Sequence, residues 1–94
     1  MIYLRRVVGQ SMLPTLRPGQ ICVFVKTSRY EHGDVVLAKA EGRPVVKRVH
    51  MIGEETHLKG DNHQVSANYI ITRRNRTNKI KAKLVWPRVQ EAEA

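Results

Sequence analysis

Pro44-Val45-Val46-Lys47-Arg48-Val49-His50-Met51-Ile52 decides how this chain folds. Strand geometry sends successive side chains to opposite faces, so Val45, Lys47, Val49 and Met51 share one face and Val46, Arg48, His50 and Ile52 the other. An apolar face that holds a single lysine is an unusual place for an ammonium group. Around this segment the same short-strand texture recurs, punctuated by turn residues. Residues 21–26 are an apolar strand bounded by Pro18-Gly19, and residues 34–40 are another, opened by Gly33 and closed by Glu41-Gly42. Residues 56–59 pair back across Gly53-Glu54-Glu55, and residues 81–89 make a late strand that holds Trp86. Helical periodicity is confined to one turn from Ser11 to Leu16, stopped by Arg17-Pro18-Gly19.

The composition agrees. With 94 residues, 41% of them hydrophobic but only five aromatic, the chain reads as one domain over 1–94 with a core of Val, Ile and Leu, a composition that favours β structure. One cysteine, Cys22, rules out an internal disulfide and a multi-cysteine zinc site. His32, His50, His57 and His63 follow no metal-ligand spacing, so neither metal nor cofactor is expected. The longest apolar run, residues 21–25, is far short of the roughly 20 residues that span a bilayer. The chain therefore reads as soluble: cytoplasmic if complete, membrane-anchored and facing outward if it is an excised domain.

The net charge is +9, and it is uneven: residues 62–90 hold seven Lys/Arg and no Asp/Glu. The basic region 73–83 suits a membrane surface or another polyanion. A non-catalytic basic β domain that binds nucleic acid is the competing function class. No aromatic residue lies between Arg73 and Lys83 to stack bases, which counts against that reading.

Among catalytic arrangements, no serine lies in a Gly-x-Ser-x-Gly elbow that would mark a Ser-His-Asp hydrolase. A serine can instead be activated by a neutral lysine, and burial among apolar groups is what lowers an ammonium pKa. Lys47 meets that condition on its strand face, whereas Arg48 points the other way.

Five ordered segments resemble type I signal peptidases and their relatives among Ser-Lys proteases, which include the self-cleaving SOS-response repressors. Val8-Gly9-Gln10-Ser11-Met12-Leu13-Pro14-Thr15-Leu16 looks like the nucleophile box, and Arg17-Pro18-Gly19-Gln20 like the turn that follows, with Gln20 in place of the usual Asp. His32-Gly33-Asp34-Val35-Val36 is similar to the box that opens the next strand, Val46-Lys47-Arg48-Val49 to the general-base box, and Gly60-Asp61-Asn62 followed by Ser66 to the last. The resemblance makes Ser11 the nucleophile, Lys47 the base and Ser66 the group that orients the lysine. Gly9, Met12, Pro14, Gly33, Asp34, Arg48, Gly60, Asp61 and Asn62 become scaffold. It implies a small β fold of short strands around a partly open barrel, with at most a helical turn after the nucleophile.

It further implies a serine endopeptidase without a cofactor. Such an enzyme cuts an extended precursor or signal peptide after small residues and uses the Ser11 backbone N–H for the oxyanion. Met12, Val23, Val36 and Val45 are candidates to line its pockets. Two departures stand out. Asn68 and Ile70 occupy positions where many members carry an Asp-Arg pair. The Ala-Gly bond that SOS-response repressors cut is absent from the sequence.

Overall fold

The computed structural model describes residues 1–65, 67–72 and 77–89. Seven strands carry the fold: β1 (Ile2–Arg6), β2 (Ile21–Lys26), β3 (Val35–Ala40), β4 (Arg43–Ile52), β5 (Glu55–Lys59), β6 (Tyr69–Ile71) and β7 (Lys79–Trp86). They form one antiparallel sheet in the order β1-β2-β7-β3-β4-β5-β6. The expected strands are present within a few residues of their expected bounds. β1 and β6 are additions. β6 has only three residues, and β1 has no buried residue, so neither shows a legible alternation. The last strand ends at Trp86 rather than residue 89, because Pro87 has no N–H to continue the ladder.

The sheet is curled as well as open. Pocket-forming residues of β1 and β4 line the same cleft although β2, β7 and β3 lie between them in the sheet. That curl gives the partly open barrel. Its interior is a core of Val7, Met12, Leu16, Cys22, Phe24, Val35, Leu37 and Ala82. On the opposite face Val36, Ala38, Val49, Leu58 and Ile80 form a second core, with Tyr69 and Ile71 of β6 packed against it. β3 feeds both, because its alternate residues are apolar on either side.

Register shifts let the late strand do the same. Leu37 pairs Ala82 in the first core and Ala38 pairs Ile80 in the second, so an extra residue at Lys81 rotates β7 between the two faces. A second shift, between Val23/Phe24 and Trp86/Leu84, falls at Val85.

The β3–β4 hairpin turns on Glu41-Gly42, flanked by the pair Ala40 and Arg43. Both loop residues have positive φ, 52° and 80°, as a type I′ turn demands. Asn78, buried at the start of β7, braces this turn: its Oδ1 accepts from the Glu41 N–H at 3.1 Å and its Nδ2 donates to the Ile70 carbonyl at 3.2 Å.

Candidate active site

Ser11 lies on a loop that is pinched shut at its base. The Val7 N–H donates to the Gln20 carbonyl and the Gly19 N–H to the Val7 carbonyl, both at 2.8 Å. Gln20 also closes the turn as an acceptor, its Oε1 taking the Arg17 N–H at 3.1 Å. Met12 and Leu16 plug the first core, and the Leu16 N–H bonds the Met12 carbonyl at 2.9 Å, giving the single expected turn without a helix. Gly9, two residues before Ser11, has φ of 80°. A Cβ there would meet nothing within 4 Å, so glycine is required by the backbone conformation rather than by space.

The loop is fastened to the Gly60-Asp61-Asn62 segment. The Asn62 N–H donates to the Ser11 carbonyl at 2.9 Å, and its Nδ2 to the Gln10 carbonyl at 3.1 Å. Beside it Thr15 Oγ1 donates to Asp61 Oδ2. Asp61 receives Arg48 Nε and Nη2 in a bidentate pair, both at 2.9 Å, while Arg48 Nη1 donates to the Gly33 carbonyl at 2.7 Å. One guanidinium therefore joins the nucleophile loop, the Gly33-Asp34 turn, β4 and the Asp61 segment. Burial alone would raise the Asp61 pKa, but the hydrogen bonds from Arg48 and Thr15, with the arginine's charge, outweigh it and hold the carboxyl below its usual range.

The Gly33-Asp34 turn is tied to β4 in its own right: Gly33 N–H donates to the Val49 carbonyl and Val49 N–H to the Asp34 carbonyl, both at 2.8 Å. Asp34 Oδ2 caps the turn by accepting the Glu31 N–H at 2.8 Å. Pro14 and Gly60 flank these ties, Gly60 buried and Pro14 exposed.

Lys47 is one residue away from that node and in a different environment. It is only 5% exposed, lies opposite Val36 in the β3–β4 register, and shares its face with Val45 and Val49, as the alternation predicts. The ammonium has no carboxylate partner among the described residues, and burial pushes its pKa below 10.5. Lys47 and Ser11 line one cleft of about 200 Å³, walled by Arg5 to Val8 on one side and Pro44 to Val46 on the other, with Met12 and Leu37 at its apolar base. β4 pairs with β5 only from Arg48 onward, so residues 43–47 present a free strand edge to this cleft.

Several expectations need correction. Met51 is 43% exposed, beyond the core, and does not help desolvate Lys47. Arg48, expected on the opposite face as scaffold, is itself buried, 4% exposed, and bonds Asp61 and Gly33. Met12 and Val45 line the cleft, but Val36 is sealed in the second core and Val23 stays on β2 away from it. Ser66 and residues 73–76 of the basic stretch lie outside the described residues. Asn68 is exposed, and Ile70 serves through its carbonyl, which accepts from Asn78.

The histidines stand apart from the cleft. His32 and His50 meet edge to face with centroids 5.5 Å apart, and His57 faces His50 across β4 and β5. The Cys22 thiol is buried in the first core, and that burial pushes its pKa up, the reverse of an activated nucleophile. What the sequence did not reveal is the Arg48–Asp61 node. The only signal for it is the adjacency of Arg48 to the lysine and of Asp61 to Asn62 within their boxes.

A curled β sheet with a serine loop and a buried lysine on one cleft is the architecture of a Ser-Lys peptidase-like protein. Residues 1–85 match the family described as Peptidase S24-like, and the chain belongs to that family. It is similar to the LexA repressor of Syntrophobacter fumaroxidans (strain DSM 10017 / MPOB), with 36% identity over 61 residues. That match takes in 64% of this chain and 30% of the length of that protein.

Proposed function

We propose that this domain is a serine endopeptidase in which Lys47 activates Ser11 toward an extended polypeptide. The observation that carries the proposal is that Ser11 shares a cleft with a buried lysine that has no acidic partner among the described residues. Neutral Lys47 takes the proton from Ser11 Oγ as the oxygen attacks the scissile carbonyl, and then gives it to the leaving amine. Water hydrolyses the acyl-enzyme with the same lysine as base. The Ser11 backbone N–H serves the oxyanion. Ser66 is assigned, from the resemblance, to orient the lysine.

The substrate lies between the free edge of β4 and the end of β1, adding a strand that closes the barrel. The narrow apolar base made by Met12, Leu37 and Val45 favours small side chains next to the cut. The substrate is an extended protein precursor or signal peptide cut after small residues.

The test is incubation with a proteome-derived peptide library, with products identified by mass spectrometry. Ser11→Ala and Lys47→Arg should each abolish cleavage while circular dichroism stays unchanged, because Arg cannot give up its proton at workable pH. Cleavage that survives Lys47→Arg would return the role of base to another group. No Ser11-dependent cleavage, together with tight salt-sensitive DNA binding, would support the non-catalytic alternative.

A further inference from the structure

The cleft does not end at Ser11. A second cavity of about 220 Å³ shares Arg5, Leu37 and Pro44 with it, and a third of about 740 Å³ shares Tyr3 and Lys81 with the second. Together they make a continuous trough that leads away from Ser11. Among the described residues neither Asp nor Glu lines any part of it. Six cations line the two cavities beyond the Ser11 cleft, which itself adds Arg6 and Lys47: Arg5, Lys26, Arg29, Lys39, Lys79 and Lys81. None of the six forms an ion pair among the described residues, whereas Arg48 and Lys83 outside the trough are both paired with carboxylates. Like charges gathered on a concave surface repel one another and raise the local potential for an anion.

We propose that this trough is an exosite for an acidic segment of the polypeptide substrate, lying a few residues from the bond that Ser11 cuts. The proposal rests on the peptidase reading above, since it takes the occupant of the cleft to be a polypeptide. Two features favour a polypeptide over nucleic acid. A segment joined to residues already seated in the cleft is delivered to the trough at high effective concentration, an advantage a separate polyanion lacks. Tyr3 is the one aromatic ring among the lining residues, and the Arg5 guanidinium sits over it at 5.5 Å, leaving no stacking platform for bases.

The local backbone also places two of the cations. Thr27 Oγ1 accepts the Arg29 N–H at 3.0 Å and donates to the Arg29 carbonyl at 3.1 Å, closing the short turn that presents Arg29 at the far end. The register shift at Lys81 aims that side chain into the trough in a strand whose neighbours Ile80 and Ala82 are both buried.

The probes are a fluorescein-labelled peptide with four consecutive glutamates, its glutamine counterpart, and a single-stranded DNA of equal charge. Each is titrated by anisotropy against the Ser11→Ala chain at low and at physiological salt. The glutamate peptide should bind at least about ten times more tightly than the glutamine peptide and than the DNA, weakening as salt rises. Joining the glutamates to an alanine tract should tighten binding further. The Lys39→Glu/Lys79→Glu/Lys81→Glu variant should lose the glutamate preference, and Lys79→Gln/Lys81→Gln should lose part of it with a smaller burden on folding. With Ser11 intact, its labelling by a small fluorophosphonate should be the same in the wild-type chain and in these lysine variants.

Equal binding of the two peptides, or undiminished binding by the charge-reversed chain, overturns the exosite. DNA that binds more tightly than the peptide overturns it in favour of a nucleic-acid groove. Failure of fluorophosphonate labelling in the wild-type chain, while its Ser11→Ala form keeps the glutamate preference and the lysine variants lose it, would instead sink the peptidase reading alone.

Discussion

An ammonium held against apolar side chains gains by releasing its proton, and Lys47 is so held, with no counterion among the described residues. Its folded-state pKa lies below the 10.5 of the free side chain, so between those two values the unfolded chain binds more protons than the folded one. Stability therefore falls as pH drops through that window and keeps the full penalty below it. Lys47→Met should raise the melting temperature at neutral pH, and calorimetry should find the gain fading as pH approaches about 10.5. Val45→Asp offers a second test. It puts a carboxylate two residues away on the same face, in the half-buried wall of the cleft, and should move the activity limb to higher pH by favouring the ammonium. Val49 is unsuitable for that experiment because it is fully buried in the second core. Arg48 serves no better as a control on the opposite face, since its guanidinium pairs with Asp61. Arg48→Met should cost about 3 kcal/mol, lowering the melting temperature by roughly 10 °C or more, because it strands a partly buried carboxylate and frees the nucleophile loop. Ser11 and Lys47 were legible in the sequence because a box and an alternating strand are local patterns. The Arg48–Asp61 pair spans 13 residues and joins two such boxes, and no local pattern states that one closes on the other.

At the level of elements, the two hairpin turns and the free edge of β4 matter most. Glu41 occupies a positive-φ position where a type I′ turn prefers Asn or Gly. Glu41→Asn keeps the N–H that Asn78 accepts and should stabilise the chain by about 0.5 kcal/mol or more, read as a shifted denaturant midpoint. Asn78→Ala should cost about 1–3 kcal/mol, since it leaves the Glu41 N–H and the Ile70 carbonyl without their partner. Strands rich in Val and Ile between glycine and proline signals could be read directly, as β2 was to the residue. β1 could not, because its outer face carries Ile2 and Leu4 exposed while Tyr3 alone turns inward, so burial leaves no alternation to detect.

Over the whole molecule, one sheet serves two cores, and the register shifts in β7 make that possible. Sequence alternation implies a sheet with one apolar face per strand. It does not show that Ile80 and Ala82, two residues apart, turn to opposite sides. The curl that brings β1 opposite β4 has the same origin in long-range pairing, and it is this curl that creates the cleft. The catalytic assignment depends on Ser11 reacting through a neutral Lys47 in that cleft. Its most direct test is the rate of fluorophosphonate labelling at Ser11 from about pH 6 to about pH 11, in the wild-type chain and in Lys47→Arg. The account predicts a single rising limb in the wild type with its midpoint below 10.5, and collapse of labelling in Lys47→Arg. Equal labelling rates in the two proteins across that range would contradict it.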